Sequence, residues 1–291
     1  MEMGRSRGGV RRMNQAEKAA LRQQEYRRRL KEFRLLDDEF MTKCFEDDPK
    51  AVELVLRIIL EQPDLEVLEV KTQVFVENLR KRSVRLDVRA QDSKGTVYDI
   101  EIQRENRGAG FRRARYHCSM MDVGLLEKGA DFDQLPETYV IFITEKDVLR
   151  RGLPLYRIGR YNYDTQEAVD DGTHIVYVNG AYRGETPLGK LMHDFACPDP
   201  EEMHYPVLAD KIRFYKETKE GSISMCRSME ELWLQGIQEG KQEGKEEGRQ
   251  ETMIENAINF LKEGTLPLEV IANCIGLPLE EVEKLQQSCM T

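Results

Sequence analysis

Residues 84–103 read Val-Arg-Leu-Asp-Val-Arg-Ala-Gln-Asp-Ser-Lys-Gly-Thr-Val-Tyr-Asp-Ile-Glu-Ile-Gln, and this stretch determines the predicted fold. Apolar and polar residues alternate over residues 84–90 and again over residues 98–103. Such alternation is typical of β-strands that have one apolar face. The intervening residues 92–95 have the composition of a tight turn. The stretch therefore predicts a β-hairpin.

Burial of one common apolar face restricts how the two strands pair. Even-numbered residues must lie opposite even-numbered ones, because a slip of one position would turn the acidic side chains toward the apolar side. The simplest register places Leu86 opposite Ile102 and Asp87 opposite Glu101, across a loop of residues 93–95 with glycine in the left-handed conformation. Two carboxylates from neighbouring strands then share one face of the hairpin.

This pair of carboxylates has two interpretations. Acids that lie opposite each other on a sheet repel, and a shared site raises the pKa of one of them. A hard cation such as Mg²⁺ would remove the repulsion, since it binds carboxylate oxygens together with water and phosphate. In the second interpretation the face is exposed to solvent, and Arg85 and Arg89 neutralise the acids. The pattern alone fits both interpretations.

The hairpin and its surroundings resemble a known family. Asp87 in one strand, followed by Glu101-Ile102-Gln103 on the next, resembles the core of the PD-(D/E)XK nucleases. The surroundings resemble the transposase-like or recombination-promoting branch of that superfamily. They comprise Leu36-Asp37-Asp38-Glu39-Phe40-Met41, the apolar helix 51–60, Arg113-Ala114-Arg115-Tyr116, Gly129-Ala130-Asp131-Phe132, the apolar strand 139–143 and the Glu-Gly-Lys/Arg repeats of the tail. The resemblance covers nearly the whole chain, from about residue 33 to residue 290.

The resemblance implies an α/β fold with a restriction-endonuclease-like core, a mixed β-sheet flanked by helices, extended by helices at both termini. It also implies a Mg²⁺-dependent DNA endonuclease, with Mn²⁺ as a substitute ion. Asp87 and Glu101 would be the metal ligands. Gln103 would occupy the position of the family's lysine, where an amide orients water or phosphate by hydrogen bonds but adds no charge. Asp37 and Glu53 are candidates for a further acid.

The net charge of −9 conceals two basic regions. Residues 1–35 contain 11 basic and 4 acidic residues, and residues 71–115 contain 12 basic and 6 acidic residues. Positive charge is thus concentrated around the candidate site, as the binding of a phosphate backbone requires. The candidate phosphate-binding residues are Arg104, Arg112 and Arg115, and Arg107 and Arg113 belong to the same cluster.

Composition predicts a cytoplasmic protein without a membrane segment. Hydrophobic residues make up 40% of the chain and charged residues 33%, which is typical of a folded domain. No apolar run is long enough to span a membrane, and the first ten residues lack the apolar stretch of a signal peptide. The six cysteines and four histidines are widely spaced, so reduced thiols are expected and a zinc site is not.

The sequence predicts four segments: a basic helical leader at 1–32, the nuclease domain at 33–232, a glycine-repeat charged helix or linker at 233–252, and a small helical element at 253–291. Gly236, Gly240, Gly244 and Gly248 would lie nearly in line on a helix, where a second helix can approach closely. This spacing predicts a homodimer through the tail, with a flexible linker as the alternative. The helix-turn-helix outline of residues 268–285 is too acidic to read DNA.

The sequence also allows a function of a different class. The chain could be a non-catalytic DNA-binding or assembly protein that keeps the nuclease fold without its lysine, and RNA is an alternative substrate. Metal-dependent nicking of a supercoiled plasmid separates the catalytic interpretation from the non-catalytic one.

Overall fold

The computed structural model describes residues 15–76, 83–104, 109–264 and 266–289. It divides into two compact units, residues 1–227 and residues 228–291. Within the described ranges, no helix is both long and apolar enough to cross a membrane. Residues 1–14 of the predicted basic leader and Arg107 lie outside the described residues.

The first unit contains one six-stranded sheet with helices around it. Its helices are α1 (Gln15–Leu30), α2 (Asp38–Phe45), α3 (Pro49–Leu60), α4 (Phe111–Leu125), α5 (Pro187–Ala196) and α6 (Pro206–Glu217). Its strands are β1 (Val67–Val76), β2 (Val84–Asp92), β3 (Val97–Gln103), β4 (Thr138–Thr144), β5 (Leu155–Ile158), β6 (Arg160–Asn162), β7 (Glu167–Val169) and β8 (Thr173–Asn179).

The sheet has the strand order β1-β2-β3-β4-β8-β5, and β6 pairs separately with β7. The pairs β3–β4 and β4–β8 are parallel, whereas β1–β2, β2–β3 and β5–β8 are antiparallel. The sheet is therefore mixed, and the predicted α/β class is confirmed.

The hairpin has the predicted register over residues 88–91 and 97–100, whereas the predicted pairs Leu86–Ile102 and Asp87–Glu101 lie beyond the last paired residues. Val88 lies opposite Ile100, and Gln91 lies opposite Val97. The Asp92 N–H donates to the Thr96 carbonyl at 3.1 Å, which closes the three-residue loop. Gly95 in that loop has φ +89°, a conformation that glycine adopts without a steric penalty.

The central strands are buried on both faces. Val140 and Phe142 of β4 pack with Val97 of β3 and with Ala114 and Cys118 of α4 in one cluster. Residues that alternate with these along the strands, such as Ile100 and Ile141, point to the opposite face and are also fully buried. The first of these two faces holds the acidic residues of β3, so α4 lies directly over them.

Helix α4 ends at Leu125, because Leu126 is already extended with ψ 117°. The glycine run lies within helix α7 (Lys219–Glu263).

The second unit has its own small apolar core. Helices α8 (Leu268–Ile275) and α9 (Leu279–Cys289) pack with the end of α7. Ile271 and Val282 are almost fully buried in this core. Gly276 ends α8 with φ +81°, as a glycine at a helix C-terminus commonly does.

Candidate active site

The candidate site forms where β2 and β3 stop pairing. Paired residues of the two strands run from Gln91 and Val97 to Val88 and Ile100. Beyond this point, the Asp87 N–H donates to Glu101 Oε1 at 3.1 Å. The Ile102 N–H donates in return to Asp87 Oδ2 at 3.3 Å. The two carboxylates therefore link the strands, and the structure brings Asp87 and Glu101 together as the register predicted.

These acids are not on a solvent-exposed face. Asp87 is 7% exposed, and Asp99 and Glu101 are 0% exposed. Arg89, which was offered as a neutralising partner, instead approaches Glu69 at 3.7 Å. The solvated-face interpretation is therefore wrong, because the acids are buried and side chains of helix α4 contact Glu101 and Asp99 directly.

Arg113 of α4 binds the acidic face directly. Its Nη2 donates to Glu101 Oε2 at 2.8 Å, and its Nη1 donates to Gln103 Oε1 at 2.9 Å. Its Nε contacts His117 Nε2, one helical turn further on, at 3.3 Å. The guanidinium thus joins the acid and the amide of the Glu101-Ile102-Gln103 motif.

His117 supports a third carboxylate. Its Nδ1 lies 3.0 Å from Asp99 Oδ2 and 3.7 Å from Glu101 Oε1. Since Nε2 accepts from Arg113, Nδ1 carries the proton and donates to Asp99. Asp99 Oδ1 is buried, and no group in the described part of the chain donates to it.

Burial strongly perturbs the three acids. Burial, followed by the charges of Glu101 and Asp38, raises the pKa of Asp87 to about 8. Burial and then Asp99 raise the pKa of Glu101 to about 8, although His117 and Arg113 act in the opposite direction. Burial, followed by the charge of Asp87, raises the pKa of Asp99 well above its usual value. The charge of Arg113 therefore neutralises the cluster only in part.

The residues fit a divalent cation. Ligand atoms of Asp99, Glu101 and His117 lie within 4.8 Å of one another, and Asp87 is hydrogen-bonded across the strands to this group. Carboxylate oxygens are the ligands that Mg²⁺ prefers, and a cation among them would offset the repulsion that raises their pKa values.

A cleft of about 1100 Å³ opens beside these acids. Its lining combines acidic, amide and basic side chains, among them Asp38, Asp87, Gln103, Arg85, Arg104, Arg112, Arg113 and His117. Two of the three candidate phosphate-binding arginines, Arg104 and Arg112, thus face the cleft, and Arg104 also pairs with Asp37 at 2.9 Å. Arg115 is exposed on α4 and does not line the cleft.

The further acid in the cleft is Asp38. Burial raises its pKa, an effect that nearby Arg85 partly offsets. The structure does not bring the two sequence candidates to the cleft. Asp37 accepts from the Arg34 N–H at 2.8 Å, and Glu53 accepts from the Val67 N–H at 3.0 Å and pairs with Arg57.

Sequence reasoning missed Asp38, Asp99 and His117. Asp99 has the same strand parity as Glu101, so the alternation already placed it on the acidic face. Asp38 adjoins the candidate Asp37 in the quoted motif. No pattern in the sequence marks His117 as a site residue, because its contact with Asp99 forms only when α4 packs over β3.

Comparison with known families gives a match to part of the chain. Residues 51–180 match the model of a PD-(D/E)XK nuclease family transposase. The matched stretch includes the hairpin with Asp87, Glu101 and Gln103. No curated protein and no solved structure gives a significant match.

The resemblance seen in the sequence is therefore confirmed over residues 51–180, which match this PD-(D/E)XK nuclease family. The mixed six-stranded sheet with flanking helices is consistent with the restriction-endonuclease-like α/β fold.

Proposed function

We propose that this protein is a Mg²⁺-dependent endonuclease that hydrolyses DNA phosphodiester bonds, with a transposase-like or recombination-promoting role. The match of residues 51–180 to a nuclease family supports the reaction class. The observation that supports it best is the buried pair Asp87 and Glu101, linked across two strands beside a cleft that contains arginines.

Asp87 and Glu101 would hold the Mg²⁺ or Mn²⁺ ion, and Asp99 contributes an additional carboxylate close to them. A bound divalent ion would lower the pKa of a water molecule and neutralise charge on the scissile phosphate. His117 is a nitrogen donor, which Mg²⁺ does not favour. Its role is to orient Asp99 through the hydrogen bond at 3.0 Å.

Gln103 and Arg113 together replace the lysine of the superfamily. Gln103 Oε1 accepts from Arg113, so the amide is held in one orientation and its NH₂ group can donate to water or phosphate. Arg113 supplies the positive charge that the amide lacks, and a guanidinium binds phosphate oxygens through two parallel hydrogen bonds.

The remaining arginines would position the DNA backbone. Arg104 and Arg112 line the cleft and can bind phosphates that flank the scissile bond. Arg115, further along α4, would contact a more distant phosphate. Such contacts position the DNA but do not read its sequence.

One observation favours the non-catalytic alternative, a DNA-binding or assembly protein. Arg113 already pairs with Glu101 at 2.8 Å, so a guanidinium occupies one of the two proposed ligands. A protein in which this ion pair were permanent would bind DNA through its arginines but would exclude the metal.

Self-association through the tail is part of the proposal. The glycine run is helical, and Gly244 and Gly248 have open space where a side chain would lie. A second copy of the helix could therefore approach closely along this line. Two protomers with one site each could cut one strand each of a DNA duplex.

The experiment that separates the two functions combines cleavage with binding. Purified protein is incubated with supercoiled plasmid in Mg²⁺, in Mn²⁺ and in EDTA, and DNA binding is measured under the same conditions. The endonuclease proposal predicts nicking with either metal and none in EDTA. Binding without nicking in every buffer would favour the non-catalytic alternative.

A further inference from the structure

A second cluster of metal-binding side chains lies apart from the acidic cleft, at the junction of α5 and α6. His193 and Asp194 are in the last turn of α5, and His204 lies just before α6. Ligand atoms of these three residues lie within 4.8 Å of one another. The spacing of His193 and His204 along the chain matches no standard metal-binding motif, so the sequence predicted no metal site here.

The individual distances suit one metal ion. His193 Nδ1 lies 3.2 Å from Asp194 Oδ1. Two ligand atoms bound to one tetrahedral Zn²⁺ are separated by about 3.3 Å, given metal–ligand bonds of about 2.0 Å. The rings of His193 and His204 meet edge to face, with centroids 4.8 Å apart. A ring nitrogen of the exposed His204 lies within 4.8 Å of the ligand atoms of His193 and Asp194.

The carboxylate of this cluster is held in place by the backbone. Asp194 is 0% exposed. Its oxygens accept from the His204 N–H at 2.8 Å and from the Tyr205 N–H at 2.8 Å. Within the described residues, the only ion-pair partner found for this buried carboxylate is His193. A buried charge with mainly neutral donors around it would be further stabilised by a cation.

Both imidazoles are accessible to an incoming ion. His193 is 37% exposed at its side chain, and His204 is exposed. The cluster is therefore a preformed carboxylate with two imidazoles at the protein surface.

We propose that His193, Asp194 and His204 bind a divalent transition-metal ion of the Zn²⁺ type, with solvent in the fourth position. Two imidazoles and one carboxylate are a common three-ligand set for zinc, whereas Mg²⁺ prefers oxygen ligands alone. The ion would connect the end of α5 to the start of α6 and stabilise the loop between them. This site is independent of the proposed nuclease chemistry.

The test measures zinc stoichiometry in tag-free, full-length protein that has been treated with EDTA, dialysed and loaded with Zn²⁺. The Cys274→Ser background removes the exposed thiol. Glu101→Gln, added to that background, disables the cluster in the cleft. His193→Gln and His204→Gln are the test variants, because both side chains reach solvent and their loss leaves the backbone hydrogen bonds to the buried Asp194 intact.

The proposal predicts one tightly bound zinc per chain in the background protein and in the Glu101→Gln variant. Each histidine variant should lose that zinc, with at least a tenfold weaker affinity. Co²⁺ should give the visible absorption of a four-coordinate site, absent from both histidine variants. Zinc should also raise the melting temperature of the background protein but not of these variants. Zinc retained by both histidine variants, or no zinc bound by the background protein, would overturn the proposal.

Discussion

The carboxylates of Asp87 and Glu101 each accept a hydrogen bond from the backbone of the neighbouring strand. The Asp87 N–H donates to Glu101 Oε1, and the Ile102 N–H donates to Asp87 Oδ2. These two bonds lie just beyond the last paired residues of β2 and β3. The carboxylates therefore have a structural role in the free protein as well as a proposed role in metal binding. Any substitution at either position must be judged by both folding and activity.

Protein stability should depend on pH through these acids. The pKa values of Asp87 and Glu101 are raised to about 8, against about 4 in an unfolded chain. The folded protein thus keeps protons that the unfolded chain releases between about pH 4 and pH 8. The free energy of unfolding without metal should be largest at the acidic end of this window and fall as pH rises to about 8.

Urea denaturation in EDTA at several pH values measures this dependence. Asp87→Asn removes one titrating group, so the fall should be shallower in that variant. Mg²⁺ should restore stability most at pH 8, because it binds the ionised carboxylates. A wild-type stability that rises steadily over this window would contradict the pKa shifts.

Replacing Arg113 should separate metal binding from catalysis. Arg113→Ala removes the cation that pairs with Glu101 at 2.8 Å, so Mg²⁺ should bind more tightly. Cleavage should nevertheless fall about 10- to 100-fold, because the charge near the phosphate is lost. Calorimetry and single-turnover nicking measure the two effects. Arg157→Ala, which removes an exposed arginine that does not line the cleft, is the control and should leave Mg²⁺ affinity and the nicking rate close to those of wild type.

Asp38 should contribute to the site, whereas Glu53 should not. Asp38 lines the cleft and raises the pKa of Asp87, so Asp38→Asn should shift the pH profile of cleavage toward lower pH and lower the Mg²⁺ affinity about 10-fold. Glu53→Gln should leave the pH profile unchanged. Equal profiles for both variants would exclude Asp38 from the site.

Removal of the tail should change the oligomeric state. Truncation after Leu234 deletes the glycine run and the small core around Ile271 and Val282. Sedimentation should show a shift toward monomer, while the circular dichroism of the remaining nuclease domain shows folded helix and sheet. A full-length protein that is already monomeric at micromolar concentration would contradict the proposed dimer.

The hairpin could be predicted because all its determinants are local. Strand alternation, a turn sequence and the burial of one face suffice to fix the opposition of Val88 and Ile100. Strand β1 was not predicted, and its regularity is broken by Gln73, which has a positive φ of 54°. Short edge strands such as β5 have too few residues for a periodic pattern.

The site was predicted less completely than the hairpin. Asp87, Glu101 and Gln103 follow from the strand pattern and the family resemblance, and their roles stay predictions. His117 and Asp99 are separated by 18 residues, and Arg113 meets Glu101 only after α4 has packed on the sheet. No local pattern contains that tertiary information.

The most direct test of the account is single-turnover nicking of supercoiled plasmid by wild type, Asp87→Asn and the surface control Glu69→Gln, with folding checked by circular dichroism. The account predicts Mg²⁺-dependent nicking by wild type and the control, and a loss of roughly 100-fold or more in folded Asp87→Asn, because a metal ligand is removed. Nicking by folded Asp87→Asn at the wild-type rate would contradict the assignment of Asp87 and Glu101 as the metal site.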